Sequence, residues 1–297
     1  WLADVAAVSA DEAWAVGESG ACLRWDGRTW SRVPVATEQD LTALTMVTGS
    51  DGWAVGDQGT ILHWDGGGWR AMPSATSAAL AGIAMVSARD GWIVGGDSAG
   101  AVVLRWDGAV WSPVATGIDQ RLNAVIMLSN ADGWAVGAGG CIARWDGRAW
   151  TALDGPTGAE LRAVAALSTN DVWAVGGDAW SAEDVLLHWD GAQWQRVASP
   201  SDAPLYGLAF PWAYDGWAVG RHGTLLRFRV EAPGSAFLPA LGVPGPARSR
   251  HPRAAASWST RAAAPVPDSI APHRRASRPS PGANDARPAP IGPELAW

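Results

Sequence analysis

Six basic residues occupy corresponding places along this chain: Arg24, His63, Arg105, Arg144, His188 and Arg227. Each has an acid upstream, Glu12, Asp51, Asp90, Asp132, Asp171 or Asp215, two residues before a Trp. Converging on one ligand, the basic groups would make an anion ring; paired one to one with the acids, they would brace six structural units. The basic position lies on a strand far from any common axis, so pairing is the expected outcome. Catalysis finds little support in the remaining residues. His63, His188 and His222 lack the spacing of metal ligands. The acids recur as turn residues, whereas glycoside hydrolysis needs one specific carboxylate pair, and no Ser sits in a nucleophile elbow. No catalytic residue, metal or cofactor is therefore assigned.

The residues that a repeat does not require are the better binding candidates. Trp180 lies in an insertion with Asp178, Glu183 and Asp184, while a second insertion carries Asp97. An indole ringed by acids suits stacking on a sugar or docking a partner loop; the plainer alternative is a Trp folded back on its own unit. Arg221 and His222 occupy the matching loop of the last unit, where solvation alone would account for them.

The elements that must position these residues follow a clock. DEAWAVG, SDGWAVG, RDGWIVG, ADGWAVG, NDVWAVG and YDGWAVG centre on Trp14, Trp53, Trp92, Trp134, Trp173 and Trp217, with spacings of 39, 39, 42, 39 and 44. A period near 40 residues marks a repeat architecture. Each unit opens on Leu (Leu2, Leu41, Leu80, Leu122, Leu161, Leu205), runs through W-A-V-G, then a third apolar segment, then a fourth after a D-G turn. Asp26, Asp65, Asp107, Asp146 and Asp190 start that turn in the motif W-D-G-x-x-W. Asp-Gly between apolar segments is a hairpin signal, because Gly takes positive φ freely. Four short antiparallel strands per unit predict an all-β propeller with six blades visible and a parent of six or seven. The recurring Trps are expected to wedge blade against blade.

Length varies only between W-A-V-G and the third segment, through GGDSAGAV (95–102) and GGDAWSAEDV (176–185). In a propeller that loop shares a face with the blade-to-blade links, so both insertions point to one binding face. The last unit lacks W-D-G-x-x-W, and its fourth strand is expected in GSAFLP (234–239). The propeller is thus expected over 1–239. Residues 240–297, rich in Pro, Ala, Arg and Ser, read as a disordered tail; a frame-shifted translation is the other reading.

Among residues 1–231, 14 Arg stand against 26 acids, a net of −12, and residues 232–297 carry +5. An acidic body argues against nucleic acid as partner. Cys22 and Cys141 fall in distant units on opposite strand faces, which argues against a disulfide between them. No apolar run reaches the roughly 20 residues of a membrane span.

SDGWAVGDQGTILHWDGGGW (50–69) resembles the bacterial propeller repeats of photosystem II assembly/stability factor-like proteins and, in part, Asp-box (sialidase-type) propellers. The resemblance implies the propeller fold, an Asp that closes the outer hairpin, an extracytoplasmic or cell-surface location and an assembly-chaperone role as one functional alternative. An Asp-box glycoside hydrolase is another, but sialidases use a Tyr nucleophile and an Arg triad, and only Tyr206 and Tyr214 are present. The leading expectation is a monomeric, non-catalytic binding scaffold that recognises protein or glycan through the loop face.

Overall fold

In a computed structural model, which describes residues 1–178, 183–212, 215–230 and 256–260, six antiparallel sheets of four strands each follow one another. The inner strands are Leu2–Ser9, Leu41–Thr48, Leu80–Ser87, Leu122–Ser129, Leu161–Ser168 and Leu205–Trp212. All six border a shared central channel. The chain divides after Ala262, and the part beyond lies outside the described residues.

Blade 2 shows why the sequence folds this way. Asp51–Gly56 pairs with the inner strand through Leu41↔Gly56 and with Ile61–Trp64 through Trp53↔His63; Trp64↔Trp69 then joins the outer strand. Successive side chains on a strand point to opposite faces. Trp53 and Val55 therefore pack forward on blade 3, beside Leu80, Leu104, Trp106 and Trp111. Ala54 points backward with Leu62 against Trp14 and Val16 of blade 1. A small residue between Trp and Val lets the preceding blade come close.

Five apolar clusters repeat this arrangement, one at each successive junction. In four of them the forward Trp meets the aromatic pair of the next blade, one ring tilted and one edge-on: Trp14 lies 4.7 Å from Trp64 and 5.6 Å from Trp69. Between blades 5 and 6, Trp173 meets Phe228 instead. Burying one indole contributes roughly 4–6 kcal/mol of gross transfer free energy.

The junction from blade 6 to blade 1 differs. Leu2 is 57% exposed, whereas its five counterparts are at most 1% exposed. Val219 is 46% exposed, whereas Val16, Val55, Val94, Val136 and Val175 are all at 0%.

Two expectations need revision. The insertions in blades 3 and 5 are longer hairpins rather than loops. Asp90–Asp97 pairs with Gly100–Trp106 up to Asp97↔Gly100, and Asp171–Asp178 pairs with Glu183–Trp189 up to Asp178↔Glu183. In the other four blades a three-residue 3-10 turn makes the connection. The sixth blade takes its outer strand from Ala256–Thr260, inside the segment read as tail, and Phe228↔Trp258 replaces the Trp↔Trp pairing of the other blades. The GSAFLP segment lies outside the described residues. Low-complexity sequence around ASWST hid a five-residue strand. Cys22 and Cys141 are free and buried.

Candidate functional site

The six basic residues do not converge. Each pairs with the turn acid of its own blade: Arg24 with Glu12 at 2.8 Å, His63 with Asp51 and His188 with Asp171 at 2.9 Å each, Arg227 Nε with Asp215 at 2.7 Å, Arg105 with Asp90 at 3.4 Å and Arg144 with Asp132 at 3.6 Å. Each also covers the forward Trp that it faces across the strands. Arg24 sits 5.3 Å from the Trp14 ring and Arg144 5.1 Å from the Trp134 ring, while His63 lies 4.2 Å from Trp53. The basic group is held between a carboxylate and an indole face, a structural use of charge. The Arg227 hydrogen bond holds the Asp215 carboxyl below the usual carboxylate range.

Five turn aspartates close the outer hairpins. Asp26 Oδ1 accepts from the amides of Arg28 and Thr29, and Asp65, Asp107, Asp146 and Asp190 repeat that geometry at 2.8–3.1 Å. These amides lower the carboxyl pKa of Asp26, Asp65, Asp107 and Asp146.

The connections from second to third strand all emerge on one face, where the inner strands begin. The Gly of W-A-V-G makes this possible. A Cβ on Gly56 would stand 1.9 Å from the Asp40 carbonyl oxygen, and one on Gly137 would stand 2.1 Å from that of Arg121. The turn that follows bonds to the chain on both sides: the Asp57 amide donates to Asp40 O, and the Gly59 amide to Ala78 O in the link to the next blade.

Among the expected binding residues, Asp97, Asp178, Glu183, Asp184, Arg221 and His222 all belong to these connections. They come from three blades: Asp97 from blade 3, Asp178, Glu183 and Asp184 from blade 5, and Arg221 and His222 from blade 6. Asp97 is exposed and turns its own hairpin by accepting from the Ala99 amide at 2.7 Å. Asp184 is partly buried, and its backbone oxygen accepts from Arg196 at 2.8 Å. Asp178 borders a shallow recess with Arg196 and Pro156. Arg221 and His222 are exposed in a 3-10 turn, with His222 at φ 59°. Trp180 lies outside the described residues, as does Tyr214.

Sequence reading passed over the channel. The position after each opening Leu faces it, and there the repeat stops repeating: Ala3, Thr42, Ala81, Asn123, Arg162 and Tyr206. From blade 4 onward these residues link up. Glu160, just before the fifth inner strand, takes Arg121 and Asn123 from blade 4, with the Asn123 amide at 3.1 Å, and Arg162 at 2.7 Å. The Arg162 guanidinium lies 5.2 Å from the Tyr206 ring, and its Nε is buried without a hydrogen-bond partner. Across the channel Asp4 Oδ2 accepts from the Leu44 amide at 2.8 Å. Desolvation raises the Asp4 pKa, while the Leu44 and Val5 amides pull the other way. The channel encloses about 570 Å³, within the range of sites that hold small ligands or single side chains.

A family model described as Photosynthesis system II assembly factor YCF48 matches residues 65–229. The chain belongs to this family. No curated protein matches it. Among solved structures, YCF48 from Cyanidioschyzon merolae is 22% identical, covering 74% of this chain and 77% of that one at a TM-score of 0.58. A structure described as YCF48 bound to D1 peptide is 18% identical, covering 76% and 90% at a TM-score of 0.48. Virginiamycin B lyase from Staphylococcus aureus is 15% identical, covering 75% and 78% at 0.64. The YCF48-family repeat therefore includes the sixth blade's Arg227 and Asp215 but ends before its outer strand. No helix among the described residues is long and apolar enough to cross a membrane.

Proposed function

We propose that this YCF48-family chain is a non-catalytic protein-binding scaffold that holds a partner's peptide segment at the channel mouth on the turn face. The observation that carries the reading is the linked group Arg121, Asn123, Glu160, Arg162 and Tyr206. It occupies positions where the blade itself demands no particular side chain, on the face that bears both lengthened hairpins. One carboxylate shared by two guanidiniums leaves net positive charge and free donors, which suits a peptide carboxylate or backbone carbonyl. Tyr206 offers an aromatic rim beside them. The hairpin tips at Asp97 and at Asp178, Glu183 and Asp184, together with Arg221 and His222, extend the contact surface. The family description, an assembly factor, fits a protein that works by holding other proteins.

Peptides selected from a random displayed library against the intact chain supply the test. Arg162→Ala is expected to weaken the selected peptides at least tenfold, since a hydrogen bond to a charged group contributes about 1.5–3 kcal/mol. Arg162→Lys, which keeps charge without the planar fork, should fall between. Asn130→Ala, on the opposite face, should leave affinity unchanged. Equal binding by Arg162→Ala, or binding to a glycan array with no peptide selected, would overturn the reading.

A further inference from the structure

The four 3-10 turns differ at their middle residue. Ser19, Gln58 and His222 stand there in blades 1, 2 and 6, at φ 53°, 55° and 59°, whereas blade 4 carries Gly139 at φ 63°. Other residues hold this backbone, so glycine is not required for it; what glycine leaves is a turn bare at its crest. A Cβ on Gly139 would meet only Gln120 Cγ, at 3.8 Å. In blade 1 the amide at this place is already taken, because Ser19 donates to Asp40 Oδ1 at 2.8 Å. The residue that matches Asp40 beside the blade-4 turn is Glu160, each standing just before an opening Leu. Glu160 takes Arg121, Asn123 and Arg162 at the channel mouth instead. The Gly139 amide is left without an acceptor among the described residues. The lengthened hairpins stand on either side of this bare turn. A Cβ on Gly96 in blade 3 would lie 3.1 Å from Arg121 Cα, and the Gly177 amide in blade 5 donates to Glu160 O at 2.9 Å. A recess of about 330 Å³ lies beside Gln120, Gly139, Asp154 and Thr157, and Thr157 also borders the recess beneath Asp178. The result is a trough leading outward from the channel mouth.

We infer that the main chain of a bound peptide runs along this trough, over blade 4 and between the hairpins of blades 3 and 5, with one of its carbonyls accepting from the Gly139 amide. The inference rests on the scaffold reading and adds to it a path and a charge preference. Successive amides of such a turn favour an oxygen acceptor, and blade 1 meets that preference with its own Asp40. At the inner end Arg121 and Arg162 share one carboxylate, so an acidic group of the peptide belongs there. Outward, the trough is bordered by Asp97, Asp119, Asp154 and Asp178, so basic side chains belong along that stretch. The partner is thus an extended segment with an acid at one end and Lys or Arg along the rest. A helical segment does not fit, because its carbonyls are spent within the helix.

Gly139→Gln tests the path and spares the fold, since Gln58 holds the same conformation in blade 2. The probes are peptides selected from a random displayed library against the intact chain. They are expected to join an acid to Lys or Arg, and Gly139→Gln should weaken them about tenfold or more. Asp154→Lys should weaken them several-fold, and more so at low salt. Gln58→Gly, the reverse exchange on blade 2, should change nothing. In the native chain, bound peptide should slow hydrogen exchange of the Gly139 amide about tenfold or more, a readout that needs no variant. If Gly139→Gln binds as tightly as the native chain while Arg162→Ala weakens, the path is wrong and the scaffold reading stands. If neither change weakens binding, both fall. Selected peptides that carry no basic residue would overturn the charge preference.

Discussion

A tryptophan in this chain matters according to the junction it enters, not the motif it belongs to. Trp53 is 1% exposed and wedged between two indoles of blade 3; Trp69 is 6% exposed against Trp14, whereas Trp30, in the same motif position of blade 1, is 46% exposed. Trp53→Ala is expected to cost about 3–5 kcal/mol in urea denaturation, the range for emptying a packed aromatic site. Trp30→Ala should cost under about 1 kcal/mol. The turn aspartates make a prediction in pH. Their folded pKa values are lowered by backbone amides. A lowered folded value means stability that is present above the unfolded value, near 3.9, and lost as pH falls through the folded one. Carboxyl NMR titrations of Asp26, Asp65, Asp107 and Asp146 should therefore run below the ordinary range, and Asp→Asn at these sites should flatten the acid limb of the stability curve. The ion pairs and turn acids were legible in sequence because they recur. Arg162, Asn123 and Tyr206 were not, because alignment of repeats draws attention to what stays constant; the signal was a fixed position that varies from Ala through Thr, Asn and Arg to Tyr.

Elements here are set by close approach as much as by hydrophobic alternation. The Gly of W-A-V-G recurs because the carbonyl of the incoming chain fills the place of its side chain, in extended backbone that any residue adopts: φ is −173° at Gly56. Gly56→Ala is expected to cost about 2–3 kcal/mol by forced displacement of the inner strand. Gly68→Ala, where a Cβ meets nothing within 4 Å, should stay within about 0.5 kcal/mol. Matched urea titrations decide the pair. Strand starts were readable in the repeating blades: each opening Leu, Leu41 among them, is the first residue of an inner strand. The sixth outer strand was not readable, because its partner is set by register with Phe228 rather than by a local Asp-Gly turn. Closing that connection across 231–255 instead of a four-residue turn costs about 1.6 kcal/mol more in chain entropy.

At the scale of the whole molecule, stability should grade along the chain. Each blade contacts its sequence neighbours, so interior blades have two complete junctions and blades 1 and 6 have one each. Repeat arrays of this kind gain stability from nearest-neighbour interfaces. Amide hydrogen exchange is expected to be slowest in the second strands of blades 2–5, such as Asp51–Gly56 and Asp132–Gly137, and faster in Glu12–Gly17 and Asp215–Gly220. Uniform protection in all six would count against an open junction. The indole clusters carry one more consequence. Rings held at centroid separations of 4.6–5.0 Å and interplanar angles of 54–59° at four junctions couple their electronic transitions. The far-ultraviolet circular dichroism should therefore carry an exciton couplet foreign to plain β-sheet, whose amplitude counts intact wedges and turns the chain's own chromophores into a gauge of how many blades are docked.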